Sequence, residues 1–141
     1  MKTLKSIMLG LAMLVFCGAV KANIRHDQKL TKNYAINTFV DAMTRGRLNG
    51  LNDVIDKSAL FSMVRANKVL SFDKSQMLEY LQSNKNTEQT CVTSTSIVED
   101  NANIEIVKVD MKYDNFTRSN YITIANTGNG WKITNVYSVF S

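Results

Sequence analysis

Three features of the sequence predict an α+β fold. After residue 22, apolar residues first recur at three- and four-residue steps; from Gln89 onward they alternate with polar ones. The alternating half is punctuated at Asp100-Asn101, Asp114-Asn115 and Thr127-Gly128-Asn129-Gly130, residue types that tolerate the positive φ of hairpin turns. At 141 residues the chain has the length of one domain.

The first 22 residues read as a secretory leader. Lys2 and Lys5 precede an apolar run of 14 residues, Ile7 to Val20, and Val20-Lys21-Ala22 offers a cleavage site. That run is shorter than the ~20 residues a membrane-spanning helix needs, and no later stretch approaches that length. The expected product, residues 23–141, is periplasmic or secreted. Acylation of Cys17 is disfavoured by Phe16, which stands where a small residue is expected. Removing Lys2, Lys5 and Lys21 leaves 14 basic and 12 acidic residues, a net charge of +2. This is too little for a phosphate-binding face, so no nucleic-acid partner is expected. Cys91 is then the only cysteine, no internal disulfide can form, and a packed core must hold the fold.

Asp27 is expected to cap a first helix, with Leu30, Tyr34, Phe39, Val40 and Met43 on its inner stripe and Gly46 stopping it. Residues 50–55 read as a short second helix. Ala59–Arg65 and Val69–Phe72 are expected strands around Ala66-Asn67-Lys68. Asp73 caps a third helix that turns Met77, Leu78 and Leu81 inward, followed by a polar loop over Ser83–Glu88. Four longer strands follow, over Gln89–Val98, Ala102–Tyr113, Phe116–Ala125 and Trp131–Phe140.

Register follows from the turns, because residues directly opposite in a hairpin share a face. A two-residue turn at Asp114-Asn115 pairs Met111 with Arg118, Val109 with Asn120 and Val107 with Ile122, and turns Lys108, Asp110, Lys112 and Tyr121 outward. Ile104 has the wrong parity to join Val107, so a β-bulge is expected near Ile106–Val107, bending the sheet strongly and leaving Glu105 toward solvent. The Thr127–Gly130 turn pairs Ile124 with Ile133, and uninterrupted counting then sets Asn120 opposite Tyr137 and Ile122 opposite Asn135. The Asp100-Asn101 turn brings Ile97, Thr95, Thr93 and Cys91 to the same inner face. That face is apolar at one end and mixed at the other, where Thr93, Arg118, Asn120, Asn135 and Tyr137 gather. Polar groups beneath a helical layer need partners or water, so a concave ligand site is expected there.

The order helix, helix, strand pair, helix and long meander resembles the nuclear transport factor 2-like superfamily. So does the ending Gly130-Trp131-Lys132-Ile133 followed by Asn135-Val136-Tyr137. Gly46 to Ile55 and Val69-Leu70-Ser71-Phe72-Asp73 before Met77-Leu78 resemble its lumazine-binding-type branch. The resemblance implies a cone-shaped roll of N-terminal helices on a strongly curved, mainly antiparallel sheet. Its motifs are structural and name no chemistry.

Within that frame Arg118 is the leading site residue, because a guanidinium fork holds a carboxylate or phosphate bidentately. Asn120, Asn135, Tyr137 and Thr93 complete the expected ligand-binding set, for a small molecule that an Arg favours as an anion. No catalytic residue, metal site or cofactor is expected: His26 precedes the first helix, and one His with one Cys cannot build a zinc centre. Two other readings stand beside ligand binding. One is a homodimer through the outer face of the sheet, using Tyr121 and Val92. The other is an isomerase or dehydratase of the ketosteroid isomerase type, which would require a carboxylate or His inside the cone.

Overall fold

A computed structural model describes residues 29–141. The leader, Cys17, His26 and the expected cap Asp27 lie outside the described residues. Helix α1 spans Lys32–Arg45, and its N-cap is Thr31, whose side chain accepts from the Tyr34 amide at 3.2 Å. Gly46 ends it in the left-handed region at φ 64°, as the sequence predicts. Helix α2 (Leu51–Val54) runs straight into strand β1 (Ile55–Arg65), which is four residues longer than its apolar pattern suggested. A tight turn with Ala66 and Asn67 at positive φ leads to β2 (Lys68–Asp73). Asp73 then caps α3 (Lys74–Ser83) through a reciprocal capping box with Gln76. The meander is β3 (Val92–Asp100), β4 (Ile104–Lys112), β5 (Thr117–Asn126) and β6 (Trp131–Phe140).

The six strands form one open sheet in the order β2-β1-β6-β5-β4-β3. Every neighbouring pair is antiparallel except β1 and β6, which run parallel and join the strand pair to the meander. Between the helices and the sheet lies a core containing Phe39 and Phe61, with ring centroids 5.9 Å apart, and Leu51, Val109, Ile122, Ile124 and Ile133. Side chains of this size, each almost wholly removed from water, contribute about 1.5–3 kcal/mol apiece. The result is an α+β roll with helices on one face of a mainly antiparallel sheet.

The β4–β5 register is as counted: Met111 opposes Arg118, Val109 opposes Asn120 and Val107 opposes Ile122. The bulges are not where counting put them. No register shift interrupts β4 and β5, so Glu105, Val107, Val109 and Met111 all point inward and are buried, while Ile104 faces outward opposite Ala125. Glu105 is 6% exposed and ion-paired to Lys32 at 3.4 Å, in place of the expected solvent-facing side chain. Within the meander one irregularity lies between Ile97 and Glu99 on β3 and another at Thr134 on β6; a third, between Ile55 and Leu60 of β1, interrupts its pairing with β6. Thr134 is an extra residue between Asn135, opposite Thr123, and Ile133, opposite Ile124. Its hydroxyl donates to the Thr123 carbonyl at 3.4 Å, giving a partner where the ladder is disturbed. Beyond it β6 has the opposite parity from that expected. Val136 and Ser138 turn inward, and Tyr137, which opposes Tyr121, turns outward together with Asn135. These two residues therefore leave the inner face on which the sequence count placed them.

Candidate functional site

Arg118 sits near the start of β5, where alternation from Ile122 and Asn120 carries it to the inner face but beyond the dry core. Its Nε donates to Asn120 Oδ1 at 3.0 Å and one terminal nitrogen to Ser138 Oγ at 3.3 Å. Ser138 Oγ donates to the same Asn120 oxygen at 2.7 Å, and Asn120 Nδ2 donates to the Val109 carbonyl at 3.3 Å. Asn120 is wholly buried, its oxygen accepting twice and its nitrogen donating to the Val109 carbonyl, a strut that fixes the base of the guanidinium. Phe140, opposite Arg118 on β6, brings its ring centroid to 5.7 Å from the guanidinium carbon; Arg65 approaches the same ring at 5.9 Å.

The rest of the guanidinium faces two small cavities separated by Met77 and Tyr80 of α3. One, of about 40 Å³, lies against Gln89, Met111 and Tyr113; the other, of about 80 Å³, lies against Met63, Phe72 and Gln76. Burial lowers the pKa of Arg118 from its usual value, with the nearby Tyr80 and Tyr113 phenols acting in the opposite direction. Burial likewise raises that of Tyr113, whose hydroxyl donates to Gln89 Oε1 at 3.1 Å and whose ring stacks on Phe116. Among the described residues no carboxylate lies within ion-pair distance of Arg118, and neither cavity is lined by an Asp, Glu or His. A partly desolvated cation without a counter-ion, held rigidly from behind, has the chemistry to pair with an anion.

The structure brings together only Arg118 and Asn120 of the five residues singled out from sequence. Thr93 does share a face with Met111, but it stands exposed on the edge strand β3 and lines neither cavity. Asn135 and Tyr137 are on the far side of the sheet. Sequence reasoning missed Ser138, displaced by the Thr134 bulge, and Tyr80, whose spacing of three from Met77 was a readable sign of a shared helical face. Among the described residues Glu105 is the one buried carboxylate, but it is bound to Lys32 and lines neither cavity. The described residues contain no cluster of His, Cys, Asp and Glu able to hold a metal ion.

Comparison with known proteins adds the family. The sequence matches the family described as "Putative lumazine-binding" over residues 27–138. The chain belongs to this family. Solved structures place the lumazine-binding-type chain in the nuclear transport factor 2-like fold. A protein of unknown function from Silicibacter pomeroyi, at 16% identity, gives a TM-score of 0.61 with 86% of this chain and 97% of that one covered. A protein of unknown function from Methylobacillus flagellatus gives 0.59 at 14% identity, covering 77% and 88%. A "putative ketosteroid isomerase" from Parabacteroides distasonis gives 0.54 at 11% identity, covering 77% and 86%. No curated protein matches. No helix among the described residues is long and apolar enough to cross a membrane.

Proposed function

We propose that this domain is a non-catalytic binding protein, exported from the cell, that takes a small anionic molecule at the mouth of its roll. The observation that carries the reading is Arg118, a half-buried guanidinium with no carboxylate beside it, tied by Asn120 and Ser138 and open to two cavities. Its charge anchors a carboxylate or an acidic ring edge, while Met63, Phe72 and Met77 accept an apolar body. The family description supports a small-molecule ligand. The two cavities are far below the ~300 Å³ of a drug-sized site, so a flat bicyclic ring enters only when Tyr80, 57% exposed, swings away and joins them. A base for abstracting a carbon-bound proton is what the isomerase reading needs, and the residues lining the cavities supply none.

The test is titration calorimetry and thermal shift with lumazine and benzoate as probes, on the wild-type chain and Arg118→Met. Saturable binding by either probe is expected in the wild type and a loss of at least tenfold in the variant. Silence toward both probes, or equal binding by both proteins, overturns the reading. Export is tested separately by fractionating a Gram-negative host: a product beginning at Asn23 outside the cytoplasm is expected, and an intact Met1 product confined to the cytoplasm sinks that part.

A further inference from the structure

Among the described residues, strand β3 ends the sheet with one of its edges unpaired, and all nine of its residues are exposed. Such an edge is ordinarily blunted by charge, proline or brevity. Here the segment Val92-Thr93-Ser94-Thr95-Ser96-Ile97-Val98 carries no charge, proline or glycine over seven residues. It also reads nearly the same in both directions about Thr95: valine meets valine at the ends, then Thr93 meets Ile97 (both β-branched), and serine meets serine. We propose that β3 pairs antiparallel with β3 of a second copy of this chain, about a two-fold axis at Thr95, to form one continuous twelve-stranded sheet.

Three observations choose this occupant. An axis through a residue, and not between two residues, keeps inner face on inner face, as the pleat requires. It sets Thr93 against Ile97 on the inner side, and Ser94 against Ser96 on the outer side, with no like charges opposed. Just beyond the ladder, Glu99 shares the outer face with Ile106, and Lys112 occupies the outer face beside Val92. The two-fold brings Glu99 of each copy toward Lys112 of the other, two opposite-charge approaches between side chains that form no ion pair within the described chain. The irregularity between Ile97 and Glu99 then ends the pairing after about seven residues. By contrast, the outer face of β4, next to the edge, carries Lys108, Asp110 and Lys112, which a face-to-face dimer covering that strand would have to bury. A contact made by one strand buries less than the ~1,200 Å² of a standard interface, so weak, concentration-dependent association is expected.

Sedimentation velocity on the full chain from about 5 to 500 µM is expected to show a monomer–dimer equilibrium. Thr95→Lys sets two ammonium groups face to face at the axis and is expected to leave a monomer, with circular dichroism and melting unchanged because the side chain is exposed. A second measurement fixes register. In a Cys17→Ser, Cys91→Ser background, Thr95→Cys is expected to form a disulfide-linked dimer on mild oxidation, whereas Thr93→Cys, displaced several residues from its own copy, is not. A monomer throughout, species larger than a dimer, or a dimer that survives Thr95→Lys and yields to Tyr121→Lys each overturns the proposal.

Discussion

Arg118 and Asn120 are bonded to each other yet differ in what their removal costs. Asn120 satisfies the Val109 carbonyl, Arg118 Nε and Ser138 Oγ at a fully buried position, so Asn120→Ala leaves three polar groups short of a partner. A loss of about 2–3 kcal/mol is expected, read by urea denaturation. Arg118→Met goes the other way. It removes a desolvated cation that no carboxylate offsets, and Ser138 still satisfies the Asn120 oxygen. Stability within about 1 kcal/mol of the wild type is expected, even as anion binding is lost. A large destabilisation by Arg118→Met would mean that the guanidinium is structural and not held ready for a ligand. Arg118 and Asn120 were readable from the sequence because only uninterrupted hairpin steps, three and five respectively, separate them from a two-residue turn. Asn135 and Tyr137 were not, since a single extra threonine reverses parity without any marker residue such as glycine. The one available clue was spacing: Ile133 and Val136 are both buried and three apart, which strict alternation forbids.

At the scale of elements, two fasteners hold the helices on the sheet. The first is the end of α1. A Cβ on Gly46 would lie 2.5 Å from the Asn86 amide nitrogen, and the Gly46 carbonyl accepts from that same amide at 3.0 Å. Gly46→Ala therefore suffers both a positive φ and a clash with backbone; a loss of about 2 kcal/mol or more is expected, with faster amide exchange in the Asn84–Gln89 loop that borders the smaller cavity. The second is Lys32, at the start of α1, which binds Asp100 and Glu105 and lies 4.5 Å from the centre of the Trp131 ring. The hydrogen bond from Lys32 holds the Asp100 carboxyl below its ordinary 3.8, and the same bond holds Lys32 above its ordinary 10.5. A lowered acid contributes stability above its unfolded pKa and loses it as pH falls through the folded one; a raised base loses its contribution as pH rises through its own folded pKa. The fastener is accordingly complete from about pH 4 to 10.5 and fails on either side. Asp100→Asn is expected to flatten part of the acid limb of melting temperature against pH, the remainder including Asp56, held low by the Ser58 hydroxyl and amide. An unchanged acid limb would show that this contact does not couple α1 to the sheet. Helix boundaries were legible through Gly46 and Asp73, whereas the Lys32 contacts join residues 68 and 73 positions away and no local pattern announces them.

For the whole molecule, the decisive feature is the place of β6. It lies between β1 and β5, parallel to one and antiparallel to the other, so it joins the two halves of the sheet. The meander was plain from alternation, but the parallel seam was not, because pairing between residues at least 75 positions apart leaves no trace in either strand alone. Deleting Trp131–Ser141 would strand the β2–β1 pair away from β5, β4 and β3 and uncover Phe61, Ile122 and Ile124. Loss of cooperative melting and rapid proteolysis are expected, and a truncated chain that still melts sharply would contradict this account of the seam. The same position also sets a timetable. Ribosomes deliver the strand that closes the sheet after the other five, and the long loop it must close makes that step slow. Until then the nascent chain exposes two half-built ribbons, which leaves it dependent on protection from its neighbours.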